Sequence, residues 1–176
     1  TFTLADGGIW QGTPGSDTLP NANDQNSFTI ESSQVKGNFM IDASNTSIHI
    51  VTFDGNGEYS VKNFIINIGN GKILFQNGVK IMASEKIDIK TNSNIHMEEV
   101  ANNITQMLSG VGGISLIANE NGETIDISHG IYLGPHNFIT VPMSVDNGTS
   151  EIILKGRGGD LAGHGISIDN GNITNN

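Results

Sequence analysis

Apolar and polar residues alternate along this chain in very short runs. The pattern is clear in "FTIES" from Phe28, in "SIHIVTF" (Ser47–Phe53), in "FIINI" (Phe64–Ile68), and again in "KILFQ", "VKIMA", "KIDIK", "GISLIA", "TIDIS", "IYLG", "FITV", "EIILK" and "GISID". A period of two over four to five residues predicts strands with one face buried. The runs are separated by "GNG" at 55–57 and 69–71, by Asn-Gly at 77–78, 121–122, 147–148 and 170–171, and by "GRGG" at 156–159. Asn-Gly tolerates positive φ at both positions, so these are turns with a physical cause. One segment departs from the pattern. In His96–Gly110, Met97, Val100, Ile104, Met107 and Leu108 recur at spacings of three and four. With Glu98 and Glu99 near its start and Gly110 at its end, it is the one place where the periodicity predicts a short helix.

Two all-β architectures accommodate so many brief strands. Read as hairpins, "FIINIGNGKILFQNGVKIMA" is a three-stranded meander in an antiparallel β-sandwich or jelly roll. Read as coils, the same strands wind round an axis and stack on the coil below, as in a right-handed parallel β-helix. Strand brevity and corners rich in Asn and Gly favour the β-solenoid. Weak self-similarity points the same way. Asp88 in "KIDIK" and Asp126 in "TIDIS" are 38 positions apart, and Asp169 follows Asp126 by 43. Either interval predicts two coils of about twenty residues, within the range of repeating solenoids. Alternation nominates Ile66, Ile68, Leu74, Ile81, Ile87 and Ile125 as inward ladder residues, with Asp88 and Asp126 on the opposite parity.

Composition narrows the class. The 176 residues suffice for a single β-rich domain, 1–176, whose first 27 residues are loop-rich. Only 15% of residues are charged, and 23 are Gly. With Ile, Val, Leu and Phe recurring throughout, this describes an ordered domain with an uncharged polar surface. A formal charge of −10 with eight Lys plus Arg leaves no basic patch to neutralise phosphates, so nucleic acid is an unexpected partner. No apolar run approaches the span of a bilayer, and membrane insertion is not expected. The chain has no Cys. That excludes disulfides, thiol catalysis and Cys-based zinc sites, and it is common among secreted bacterial proteins. The first residue is Thr1 rather than Met, which suggests either a removed leader or a piece of something longer.

"GGISLIANENGETIDIS" followed by "SEIILKGRGGDLAGHGISIDNGNIT" resembles the coils of filamentous-haemagglutinin-type adhesins and autotransporter passenger domains. The resemblance covers Gly112–Thr174, with an echo over Lys80–His96, and lies in composition and rhythm. It implies a secreted bacterial right-handed β-helix and transfers no binding residue.

Candidate chemistry is sparse. "GTPGSDTL" (Gly12–Leu19) is similar to the calcium nonapeptide of repeats-in-toxin proteins, but that motif must repeat to share ligands, and Pro14 interrupts it. Asp17 therefore reads as a loop residue, and "GRGGDLAGHG" is a fainter echo around Asp160. His49, His96, His129, His136 and His164 form no helical metal pair. His129 and His136, seven residues apart across a Gly-Pro turn, could converge, and no third ligand is apparent. Asp88, Asp126 and Asp169 would stack on one face if the two-coil period held, which raises glycosidase chemistry. Trp10, Tyr59 and Tyr132 are too scattered to form a sugar platform, and no G-x-S-x-G elbow is present. The sequons at Asn45, Asn103, Asn147 and Asn172 carry no weight by themselves.

The expectation is therefore a non-enzymatic, extracellular structural or adhesive protein of a cell or virion surface, with no cofactor. Expected partners are neighbouring modules or subunits met through strand edges, and surface glycans. The end segments "TFTLA" and "GISIDNGNIT" carry no Lys or Pro to blunt an edge. A self-assembling filament subunit using strand addition and a carbohydrate-active β-helix enzyme are the alternatives.

Overall fold

The computed structural model describes residues 9–11, 26–28, 38–43, 50–54, 58–98, 104–122, 129–142, 150–159 and 161–176. These residues form seventeen short strands and no helix. One face stacks β1 (Ile9–Gln11), β3 (Phe39–Ala43), β6 (Phe64–Ile68), β9 (Ile87–Thr91), β12 (Ile114–Ala118) and β15 (Ile152–Gly156). A second stacks β2 (Asn26–Phe28), β4 (Ile50–Asp54), β7 (Lys72–Gln76), β10 (Ile95–Met97), β13 (Ile131–Leu133) and β16 (Ile166–Ile168). The third holds β5 (Glu58–Val61), β8 (Lys80–Ala83), β11 (Gln106–Gly110), β14 (Asn137–Val141) and β17 (Asn172–Asn175).

From β3 onward the chain visits the faces in strict rotation, and every pairing is parallel to the coil before or after. This is a three-sided parallel β-helix. The meander reading fails at one point: β6, β7 and β8 lie in three different sheets, so the turns between them are corners rather than hairpins. Asn77 and Gly78, at φ 59° and 86°, take the predicted positive values, yet they turn the chain from the second face to the third. At 121–122 only Gly122 is positive, with Asn119 before it, and at 170–171 only Asn170.

Side chains stack because identical positions recur in register. On the first face the column Phe39, Phe64, Ile87, Ile114, Ile152 runs beside Ile41, Ile66, Ile89, Leu116, Leu154. On the second, Val51, Ile73, Ile95, Ile131, Ile166 runs beside Phe53, Phe75, Met97, Leu133, Ile168. The third contributes Tyr59, Ile81, Leu108, Ile139, Ile173. Four Phe fill the early coils: Phe39 stacks on Phe64 at 4.9 Å and Phe53 on Phe75 at 5.1 Å, with edge-to-face contacts between the two pairs. Such pairs add to the area they bury.

Three expectations need correcting. Leu74 points outward, and its neighbours Ile73 and Phe75 are the buried pair. "KILF" has three apolar residues in a row, so alternation alone does not set its parity; the register against Val51 and Phe53 does. The helix at His96–Gly110 is absent from the described part of that segment, where β10 and β11 are strands. Coils above and below satisfy the main chain of both and bury Met97 and Leu108 by alternation, which outweighs a weak helical propensity. The uniform coil of about twenty residues also fails. Phe64 to Ile87 is 23 positions, Ile87 to Ile114 is 27 and Ile114 to Ile152 is 38, because corners lengthen towards the C-terminus. Of the nominated ladder residues, Ile66, Ile68, Ile81 and Ile87 are buried as expected, and Ile125 lies outside the described residues.

Candidate functional site

The predicted column of acids does not form. Asp88 is in register with Ile65 below and Ser115 above, and Asp169 follows β16 on another face. Asp126 lies outside the described residues. Asp88 lines an open groove of about 250 Å³ with Lys86, Ser115 and Glu151, and Lys86 Nζ stands 4.0 Å from its carboxylate. A second groove, about 360 Å³, runs over the third face between Ser60, Met82, Ser109 and Pro142 and holds no acid. Tyr59 belongs to the core, so it offers no sugar-stacking surface.

Among the described residues, no three His, Asp or Glu side chains gather to hold a metal ion. His136 occupies a left-handed turn at φ 62°. His129 and His136 do not pair; His129 and His164 do. Their rings stack at 5.3 Å and 6°, one coil apart, and the His164 main-chain N–H donates to His129 Nδ1 at 3.0 Å. Tyr132 stacks on His129 at 5.7 Å and meets His96 edge to face. The signal was present as "HGI" at both 129–131 and 164–166. His49 and the segments around Asp17 and Asp160 lie outside the described residues, except for the glycines and neighbours flanking Asp160.

Polar groups inside the third corner are bound together. Asn137 Nδ2 donates to the carbonyls of Met97, Glu98 and Gly134, and Gln106 Nε2 donates to Phe75 O and Asn137 Oδ1. Both side chains are buried and tie three coils at a bend where the ladder is interrupted. Gln106 Oε1 is the one buried side-chain polar atom without a hydrogen bond among the described residues.

The last coil is different in kind. Ile166, Ile168 and Ile173 are 39%, 48% and 39% exposed, while Ile131, Leu133 and Ile139, directly beneath them in the same columns, are fully buried. The edges of β15, β16 and β17 form the outer strand of all three sheets at this end. The arrangement offers main-chain donors and acceptors round the rim and an apolar floor within it, which is what every internal coil offers its neighbour.

No family model, no curated protein and no solved structure matches this chain.

Proposed function

We propose that this chain is a non-enzymatic β-helical building element of an extracellular surface, of a cell or a virion, and that it joins a neighbouring coil through its open C-terminal end. The observation that carries this reading is the exposure of Ile166, Ile168 and Ile173 at positions whose counterparts one coil below are sealed. A surface of Asn, Ser, Thr and Gly without Cys supports the extracellular assignment. The rhythm of the later coils, similar to adhesin and passenger β-helices, supports a structural or adhesive task. Repeated end-to-end stacking would make a filament.

The test is sedimentation velocity over a concentration series, with the unaltered chain and Ile168→Asp. The unaltered chain is expected to associate as concentration rises. Ile168→Asp is expected to remain monomeric with the same far-ultraviolet circular dichroism. A chain that stays monomeric at every concentration, unchanged by the substitution, overturns the reading, and an isolated binding domain then replaces it.

A further inference from the structure

His129 and His164 hold the last coil to the one beneath it. The His164 carbonyl accepts from Gly130 N–H at 3.0 Å, and its N–H donates to His129 Nδ1. The first of these is an ordinary rung of the parallel ladder. The second replaces a main-chain acceptor with a side chain that can gain a proton. We propose that this pair is an acid-sensitive latch on the C-terminal coil, closed while His129 is neutral and released when it is protonated.

The argument rests on hydrogen count and ring geometry. A main-chain N–H can only donate, so His129 Nδ1 must carry no hydrogen, and the neutral ring keeps its own on Nε2. A proton added at Nδ1 turns the acceptor into a donor facing a donor, and the hydrogen bond is lost. Acid therefore favours opening, and the latch is lost as pH falls. The stack adds to this. His164 is exposed, and its ring nitrogens are not used in the latch. A proton on each ring would place two cations face to face at 5.3 Å.

Among the described residues, the other groups round His129 are His96 on β10, with Nε2 3.3 Å from the His129 carbonyl, Tyr132 on β13, and Arg157 after β15, whose main chain packs beside Gly130. Tyr132 and His164 both stack on the His129 ring. Release would loosen the segment from Arg157 to Gly165. There Gly156 and Gly165 approach so closely that a Cβ on either would meet the other's carbonyl oxygen, so the coil has no slack with which to re-form the contact elsewhere. The latch concerns coil-to-coil contact within one chain and stands or falls separately from the assembly reading.

The experiment is amide hydrogen exchange by mass spectrometry on the full chain at about pH 7.5 and about pH 5, corrected for intrinsic exchange, with His129→Asn alongside. An Asn Oδ1 can accept where Nδ1 did but cannot be protonated in this range. Protection of residues 157–168 is expected to fall roughly fivefold to tenfold on acidification in the unaltered chain, the worth of about one hydrogen bond. Residues 72–98 are expected to keep theirs, and His129→Asn is expected to show no acid response. Ring nitrogen spectra of the unaltered chain offer a check free of mutation: at about pH 7.5 His129 is expected as the Nε2–H tautomer. Unchanged protection in the unaltered chain, an equal loss in His129→Asn, or a hydrogen on Nδ1 overturns the proposal.

Discussion

Ile139 and Ile173 occupy the same column of the third face, one coil apart, yet the first is fully buried and the second is 39% exposed. The second face repeats the contrast with Leu133 and Ile168. Residue type, strand parity and register are shared, so the difference comes only from whether another coil lies on top. In a globular sheet the core is closed by a second layer. In this helix each coil is the lid of the one before it, and burial belongs to neighbouring coils jointly. The early coils are closed on both sides and packed with aromatic rings. The last described coil is built to the same plan, and no described strand lies on top of it.

The largest expected effect tests that contrast directly. Phe75→Ala removes a ring that stacks on Phe53 and touches Phe64, and it should cost about 3 to 5 kcal/mol. Ile173→Ala, at the open end of its column, should cost less, about 1 to 2 kcal/mol, since 39% of its surface still lies in water. Chemical denaturation of both variants checks the pair. Similar losses would mean that the last coil is covered in solution, which supports association.

A second comparison sets adjacent residues of one strand against each other. Ile73→Ala should cost about 2 to 5 kcal/mol and Leu74→Ala less than about 1 kcal/mol, because Leu74 faces outward between Thr52 and His96. The same denaturation curves decide it. The reverse order would move the whole strand by one residue.

Leu74 also marks how far the sequence could be read. Strands, brevity and corner chemistry were legible because Asn-Gly and strict alternation act locally. Parity was legible in "FIINI", where Asn67 breaks the apolar run, and lost in "KILF", where nothing does. The helix expected at His96–Gly110 failed in its described part for a related reason. A strand in a solenoid is stabilised by residues 22 to 36 positions away, such as Ile73 and Ile131 on either side of Ile95, and no local window contains them. The stacked acids were lost when the coils proved unequal. The open end was only half legible. The absence of blunting residues could be read, but the exposure of Ile166 and Ile168 required knowing which coil comes last.

Buried polar groups should show an intermediate effect. Asn137→Ala leaves the carbonyls of Met97, Glu98 and Gly134 without their shared donor and strips Gln106 of one partner. A loss of about 1 to 3 kcal/mol is expected. If the variant melts with the unaltered chain, water replaces the amide at this corner and the corner is wetter than its burial suggests.

The smallest effect lies on the surface of the sealed coils. Asn63 Nδ2 donates to Glu85 Oε2 at 2.6 Å and to Asn38 Oδ1 at 2.9 Å, and Lys62 Nζ stands 3.2 Å from Glu85 Oε1. The Asn63 hydrogen bond first, and Lys62 second, hold the Glu85 carboxyl below its ordinary value. A carboxyl lowered in the folded chain takes its proton first in the unfolded one as pH falls. Its contribution is therefore present above the ordinary carboxylate range and disappears as pH drops through the folded value. Both partners are half exposed to solvent, so the contribution is small and screened by salt. Glu85→Gln should melt slightly below the unaltered chain near neutral pH, and the two should converge in acid; added salt should narrow the gap. The positions that continue Glu85 at the next two coils are Gly112 and Ser150, which carry no charge, so the network is confined to the early coils and cannot steady the last one. An acid-induced change in residues 157–168 that persists in Glu85→Gln then belongs to the last coil alone. If Glu85→Gln instead removed it, the two ends of the solenoid would be coupled through the stack, and the contrast between sealed and open coils would be one of degree.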